Sequence, residues 1–115
     1  MTRPLLLVAF LAATLPAQVF VSVSDSSGAM VDNGGKAVAG DHLIWIAYPR
    51  PLPPDTTLTL YVTVGDRRET LDLIGPRKDK AKYKSAPGEQ VTLTLIIDGP
   101  AGRTESTFKF VVVGP

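Results

Sequence analysis

The chain contains no cysteine, so disulfide bridges, thiolate metal sites and cysteine nucleophiles are all excluded. Histidine and tryptophan occur once each, as His42 and Trp45, and only 7% of the residues are aromatic. Net charge is scarce as well, because twelve basic and eleven acidic residues leave a formal charge of +1. A charge this small predicts neither a nucleic-acid partner nor an acidic substrate.

The rest of the composition is typical of a globular protein: 44% of the 115 residues are apolar and 20% are charged. This length suits one domain, whose hydrophobic core must hold the fold without covalent crosslinks. Ten glycines and ten prolines fall mostly between the apolar runs. No run of helical period follows residue 17, so the sequence predicts many strands joined by tight turns.

The first 17 residues differ from the rest of the chain. Arg3 precedes an apolar run over residues 5–15, and Pro16-Ala17 closes it with a small residue. This pattern predicts a secretory signal peptide that is cleaved near Ala17. The alternative is a retained membrane anchor, since residues 4–23 carry no charge and about 20 apolar residues span a bilayer. Either interpretation places the domain, residues 18–115, outside the cytoplasm, as a secreted, periplasmic or cell-surface protein.

Apolar and polar side chains alternate along several short runs, which indicates half-buried strands. A long hairpin is expected over residues 89–113, with a turn around Asp98-Gly99-Pro100. Together with its two strands, the predicted strands are 18–24, 42–48, 57–64, 69–74 and 80–85, and residues 31–39 are expected to form a short edge strand or a loop. About seven strands at this spacing predict an antiparallel β-sandwich, with a small closed barrel as the alternative.

Part of the C-terminal half resembles a known family. Residues 83–95, YKSAPGEQVTLTL, followed by Asp98-Gly99 and the last strand, resemble the end of PKD-type immunoglobulin-like domains. Gly65-Asp66 is similar to part of that family's central motif, and Trp45 followed by Pro49 is similar to the second strand of fibronectin type III domains. The resemblance covers residues 40–113 and implies an immunoglobulin-like sandwich. Such domains serve mostly as spacers, adhesion modules and assembly subunits, which implies a structural or interaction function.

No arrangement of residues predicts catalysis. His42 is expected at a strand edge in solvent, and no Gly-x-Ser-x-Gly motif supports a nucleophilic serine. The carboxylates Asp25, Asp32 and Asp98 lie in turns, without the Asp-x-Asp-x-Asp spacing of a calcium loop. We therefore expect no enzyme activity, cofactor, metal site or small-molecule substrate.

The run 42–48 is apolar on both faces, so it is expected to be covered on both sides. We expect its odd-numbered side chains, Trp45 among them, to face the core. Its even-numbered apolar side chains then form an exposed strip that contacts a protein partner, and these are Ile44, Ile46 and Tyr48. The first strand, with Val19, Val21 and Val23 on its apolar face, is expected to pair with a neighbouring subunit by β-augmentation.

Basic residues are concentrated between positions 67 and 84. They include Arg67, Arg68, Lys80, Lys82 and Lys84. A continuous basic face formed by these residues would bind a polyanion or a carbohydrate, which is the alternative function. The competing interpretation is that the lysines of a predicted edge strand prevent edge-to-edge pairing and keep the domain soluble.

Overall fold

The computed structural model of the chain describes residues 19–47, 52–100 and 102–114. Within these ranges the chain forms nine strands and no helix. The strands are β1 (Phe20–Ser24), β2 (Met30–Val31), β3 (Gly35–Val38), β4 (Gly40–Ala47), β5 (Thr57–Val64), β6 (Arg67–Leu71), β7 (Lys80–Ser85), β8 (Gln90–Gly99) and β9 (Gly102–Val113). The predicted signal or anchor segment, residues 1–17, lies outside the described residues. No helix in the described ranges is long and apolar enough to cross a bilayer.

The strands form two sheets, with the orders β2-β1-β4-β7 and β3-β9-β8-β5-β6. The core lies between them, and the largest of its fully buried apolar side chains include Ile44, Leu60 and Phe110. Burial of each such side chain contributes about 1.5–3 kcal/mol to stability. This arrangement confirms the predicted all-β fold of two sheets, each of which turns one apolar face inward.

The β8–β9 hairpin is the longest pairing in the structure, with a continuous register from Gln90↔Val111 to Gly99↔Gly102. Alternation of apolar and polar residues determines which face of β8 turns toward the core, because Val91, Leu93 and Leu95 are buried while the threonines between them are not. A tight turn at Pro100 joins the two strands. The predicted hairpin is therefore confirmed.

Residues 31–39 depart from the prediction of a wholly antiparallel sandwich. They contain the end of the short strand β2 and the whole of β3, and β3 runs parallel to β9, from Gly35↔Phe110 to Val38↔Val113. The turn before β3 fixes this direction. Asn33 Oδ1 accepts a hydrogen bond from Lys109 N at 2.9 Å, and Gly34 N donates to Lys109 O at 2.6 Å. These bonds attach the turn to the middle of β9, so the chain continues along β9 and not against it.

The β5–β6 hairpin is tighter than the sequence predicts. The turn uses only Gly65 and Asp66, and β6 begins at Arg67, whereas the predicted strand begins at residue 69. Gly65 has a φ of 60°, a value that two-residue hairpin turns require and that glycine adopts without strain. As a consequence Arg67 and Arg68 belong to an edge strand and not to a loop.

Each sheet has two edges, and the edge strands β6 and β7 lie beside each other on one side of the sandwich. β7 ends the four-stranded sheet, which confirms the predicted edge position of the lysine-bearing strand. Before β7, Ile74 forms an isolated antiparallel bridge with Lys80. This bridge leaves the remainder of β7 as the open edge of the sheet within the described residues.

Candidate functional site

The predicted exposed strip on β4 is wrong in its orientation. Ile44 and Ile46 are 0% and 3% exposed and belong to the core, while Trp45 is half-buried on the outer surface. Both faces of this strand are apolar, so the period of two could not determine which face turns inward. Pairing with β1 decides it, because Ile44 and Ile46 lie opposite the inward-facing Val23 and Val21. Tyr48, the third member of the strip, lies outside the described residues.

The predicted β-augmentation by the first strand also meets a structural obstacle. Val19 and Val23 are buried and Val21 packs against the core, so these side chains stabilise their own domain. β1 is an inner strand: it pairs with β4 along its whole length and with β2 at Val23 and Ser24. A partner strand could pair only beside residues 20–22.

The four-stranded sheet instead exposes its opposite surface, which we call the outer face. Its members include Phe20, Asp41, Leu43, Trp45, Lys80, Lys82 and Lys84. In cross-strand register, Trp45 lies between Ser22 and Lys80. The next row places Leu43 beside Lys82 in the same way. An apolar row on β4 therefore lies beside a lysine row on the antiparallel strand β7, one strand spacing of about 4.8 Å away.

Two exposed apolar side chains lie nearer the other edge of the sheet. Phe20 adjoins the apolar row opposite Ala47, whereas Met30 on β2 is separated from Leu43 by Ser24. Phe20 is 60% exposed and Met30 is 63% exposed, the largest values among the big hydrophobic residues described. At the opposite end, Trp45 and Ala47 line a shallow depression of about 300 Å³ together with Arg77 and Asp79. The outer face thus combines aromatic and aliphatic side chains with a row of positive charge, a composition common at protein interfaces.

The structure brings the three lysines together but places the two arginines elsewhere. Arg67 forms ion pairs with Glu69 at 3.2 Å and with Glu89 at 3.7 Å. Arg68 lies over the ring of Tyr61 on the outside of the other sheet, 4.0 Å from the ring centroid. The five basic residues of the predicted polyanion-binding face therefore do not form one surface.

Glu89 connects the two edges where β7 ends. Its Oε1 accepts hydrogen bonds from the Tyr83 hydroxyl and from Ala86 N, both at 3.0 Å, while its Oε2 faces Arg67. Burial raises the pKa of Tyr83, and the nearby Glu89 carboxylate acts in the same direction. These contacts hold the β7–β8 turn against the first residue of β6.

His42 is buried, 1% exposed, and the expectation of a solvent-exposed histidine is wrong. Its Nδ1 lies 3.2 Å from the Ser24 carbonyl oxygen and its Nε2 lies 2.5 Å from Ser85 Oγ. Because a carbonyl oxygen only accepts, Nδ1 donates, and in the neutral ring Nε2 then accepts a hydrogen bond from the Ser85 hydroxyl. The ring centroid is 5.2 Å from that of Phe110. His42 and Ser85 therefore form a hydrogen-bonded polar pair inside the core. Alternation along β4 and β7 predicts this burial once Ile44 and Ile46 are known to face inward.

Asp25 is a second buried polar residue, 8% exposed, in the turn between β1 and β2. Its carboxylate accepts hydrogen bonds from Ser27 Oγ at 2.6 Å, from Ser27 N and Ala29 N at 3.0 Å, and from Val38 N at 3.2 Å. The Ser27 hydroxyl and these backbone groups lower the pKa of Asp25 from 3.8 to about 2, against the opposing effect of burial. Both oxygens are thus used within the fold. Among the described residues no group of three histidine, aspartate or glutamate side chains is arranged to hold a metal ion.

Comparison with known proteins adds no assignment. A search of known protein families finds no match to this chain, and a search of curated proteins finds none either. Function must therefore be inferred from the surfaces and buried groups described above.

Proposed function

We propose that the chain is a non-catalytic, extracytoplasmic domain of immunoglobulin-like topology that binds a protein partner through its outer face. The observation that carries this proposal is the exposed apolar row on the four-stranded sheet, with Phe20 60% exposed near the half-buried Trp45. Apolar side chains cost free energy in water, and contiguous exposed ones mark interaction surfaces. The predicted strip on β4 is thereby replaced by the opposite face of the same strand.

The strand order supports the immunoglobulin-like part of the proposal. In that fold, strands A, B and E lie in one sheet and strands C, F and G lie in the other. Here β1-β4-β7 has the order A-B-E and β9-β8-β5 has the order G-F-C, with β6 in the place of an additional C′ strand. The likeness to PKD-type and fibronectin type III domains, suggested by residues 40–113, belongs to this proposal.

The export part of the proposal rests on residues 1–17 and has a direct test. N-terminal sequencing of the chain from fractionated cells should give a start near Gln18 in the exported fraction if the signal peptide is cleaved. An intact Met1 in the membrane fraction supports the retained anchor. An intact chain in the cytoplasm contradicts both forms of the proposal.

The proposed absence of catalysis is supported by the state of the polar side chains that resemble catalytic groups. His42 and Ser85 are only 1% and 7% exposed, and the Nδ1 of His42 faces a backbone carbonyl where a catalytic triad has a carboxylate. Asp25 is engaged by four hydrogen bonds. These groups serve the fold, and the proposal gives them no part in a reaction.

Site-specific crosslinking tests the outer face. A photo-crosslinking amino acid is placed at position 45, and the matched control is placed at position 107, which is exposed on the outside of the other sheet. A discrete protein adduct that forms in cells at position 45 and not at position 107 supports the proposal. No adduct at position 45, or the same adducts at both positions, contradicts it.

One observation favours the alternative function, a polyanion- or carbohydrate-binding module. Lys80, Lys82 and Lys84 lie on one surface, and none of them forms an ion pair within the described residues. Binding to dextran sulfate should then weaken steeply between 50 and about 200 mM salt and disappear when the three lysines are replaced by glutamine. Replacing Arg68, on the other sheet, should have no effect. Binding independent of salt, or none, removes this alternative.

A further inference from the structure

The backbone of β7 has an open side that faces away from β4. Lys80 uses this side to form both hydrogen bonds of its bridge with Ile74: Ile74 N donates to Lys80 O at 2.7 Å, and Lys80 N donates to Ile74 O at 3.3 Å. Alternate residues of a strand direct their N–H and C=O groups to the same side. The backbone groups of Lys82 and Lys84 therefore also point outward. Within the described ranges, no strand pairs with β7 on this side.

We propose that this edge of β7 binds an extended strand of a protein partner that carries acidic side chains at alternate positions. This inference rests on the proposed function, because it names the chemistry of the partner at the border of the outer face. The residues with outward backbone groups, Lys82 and Lys84, are the same residues whose side chains are exposed in the lysine row. A partner strand would thus meet main-chain hydrogen-bonding groups and positive charge at the same two positions. The charge is strongest at Lys82, because Asp41 on β4 lies directly opposite Lys84 and offsets part of its charge.

The spacing of the lysines fits such a strand. Residues i and i+2 of any β-strand lie about 6.6–6.8 Å apart on one face, so two acidic residues with one residue between them match Lys82 and Lys84. Directly opposite residues of an antiparallel pair have Cβ atoms about 4.5–5.5 Å apart, within reach of an ion pair. The partner residue between the two acids would face the other side of the sheet, beside the half-buried Tyr83. An apolar residue suits this position.

The same charges disfavour a second copy of this edge as the partner. Two β7 strands side by side would place lysine against lysine, and like charges directly opposite each other destabilise a strand pair. Lysines on an edge are a common defence against such pairing. The lysine row therefore distinguishes two kinds of partner strand. It repels a second β7 strand and attracts an acidic strand, so repulsion and attraction both contribute to specificity.

The open part of the edge is short, which limits the affinity. Ile74 occupies the position next to Lys80, and the chain turns at Pro87-Gly88 soon after β7 ends at Ser85. Only Lys82 and Lys84 remain to form two pairs of main-chain hydrogen bonds. An isolated peptide should therefore bind with a Kd on the order of 1 mM, and tighter binding would require further contacts on the outer face.

The test is an NMR titration of the ¹⁵N-labelled domain with a capped peptide, acetyl-Thr-Val-Glu-Val-Glu-Val-Thr-amide. The amide hydrogens of Lys82 and Lys84 should exchange more slowly, about fivefold at a peptide concentration of four times Kd. The amides of Ala81 and Tyr83 should change much less, because alternation directs them to β4. This alternating pattern identifies strand pairing, whereas charge attraction alone would not produce it.

Two control peptides separate the contributions of charge and backbone. The peptide with both glutamates N-methylated keeps its charges but lacks the donors facing Lys82 and Lys84, and it should not slow exchange. The peptide with lysine in place of glutamate should not bind the natural domain, but should bind the double variant Lys82→Glu, Lys84→Glu. As a protein control, Lys109→Glu, on the outside of the other sheet, should leave the binding of the glutamate peptide unchanged.

Absence of any change along β7, or equal slowing by the N-methylated peptide, overturns the inference. Dextran sulfate is added in a separate titration. If dextran sulfate changes the NMR signals of the β7 lysines and the peptide does not, the inference is wrong and the polyanion-binding alternative is supported. Failure here is distinguishable from failure of the proposed function. A crosslinked adduct at position 45 with no peptide binding leaves the outer face as an interface and rejects only the strand pairing.

Discussion

Replacement of Asp25 by asparagine should destabilise the domain by about 2 kcal/mol at neutral pH. The carboxylate accepts four hydrogen bonds, and one of them, from Val38 N, connects the β1–β2 turn to β3 of the other sheet. An asparagine side chain has one acceptor oxygen, so its NH₂ group would face a backbone N–H donor. Hydrogen bonds to a charged group are worth about 1.5–3 kcal/mol, and a partner left unsatisfied costs a similar amount.

The lowered pKa of Asp25 expresses the effect of the same hydrogen bonds as a dependence of stability on pH. Lowering the pKa from 3.8 to about 2 corresponds to about 2 kcal/mol in favour of the charged, folded form. The folded pKa is the lower one, so this stabilisation is fully present above pH 4 and is lost as the pH falls toward 2.

Urea denaturation followed by circular dichroism measures both effects. We expect the difference in unfolding free energy between the natural chain and Asp25→Asn to be about 2 kcal/mol at pH 6 and to fall to near zero at pH 2. Asp66→Asn, in the exposed β5–β6 turn, is the matched control and should behave like the natural chain at both values. A difference between Asp25→Asn and the natural chain that is the same at both pH values would refute the assignment of this stability to the ionised carboxylate.

Two further predictions concern the core. Ile46→Lys should unfold the domain, because a charged amine would replace an apolar side chain that is only 3% exposed. The control Leu43→Lys, on the outer face, should fold normally by circular dichroism. A folded Ile46→Lys variant would contradict the orientation of β4. His42→Ala should lower the free energy of unfolding, measured by urea denaturation, by about 3 kcal/mol, because it leaves a cavity beside Phe110 and removes the hydrogen-bond partner of Ser85. Ser85→Ala should lower it by about 1 kcal/mol. Equal losses for the two variants would show that the pair is not packed as described.

The alternation of apolar side chains is sufficient to predict strands β1, β4, β5, β7, β8 and β9, and the lysines are sufficient to place β7 at an edge. It could not decide the orientation of β4, where both faces are apolar and only the pairing with Val21 and Val23 selects Ile44 and Ile46 for the core. The exposed site followed from this choice. When the opposite face of a strand turns inward, all of its side chains change sides. The predicted interface residues of β4 therefore lie in the core, and its predicted core residues lie on the surface.

Long-range pairing accounts for the other errors. The parallel contact of β3 with β9 depends on hydrogen bonds from Asn33 and Gly34 to Lys109, 76 residues from Asn33 in the chain. The burial of His42 likewise depends on Ser85, 43 residues away. Local periodicity contains no information about such contacts, because they are set by which strands become neighbours.

The two edges on the same side of the sandwich differ in a way that bears on the proposed partner. Both β6 and β7 expose unpaired backbone and both carry basic residues. On β6 these charges already have partners, since Arg67 pairs with Glu69 and Glu89. Arg68 likewise lies over the ring of Tyr61.

On β7, the three lysines form no ion pair within the described part of the chain. Protection against aggregation requires only that an edge be charged or twisted, and β6 meets this requirement with its charges paired. Unpaired charge at the positions whose backbone points outward is an additional feature of β7. An acidic strand should therefore select β7 over β6, because open backbone is common to both edges while β7 carries basic side chains that form no ion pair. This charge is least offset at Lys82, since Asp41 lies directly opposite Lys84 on β4.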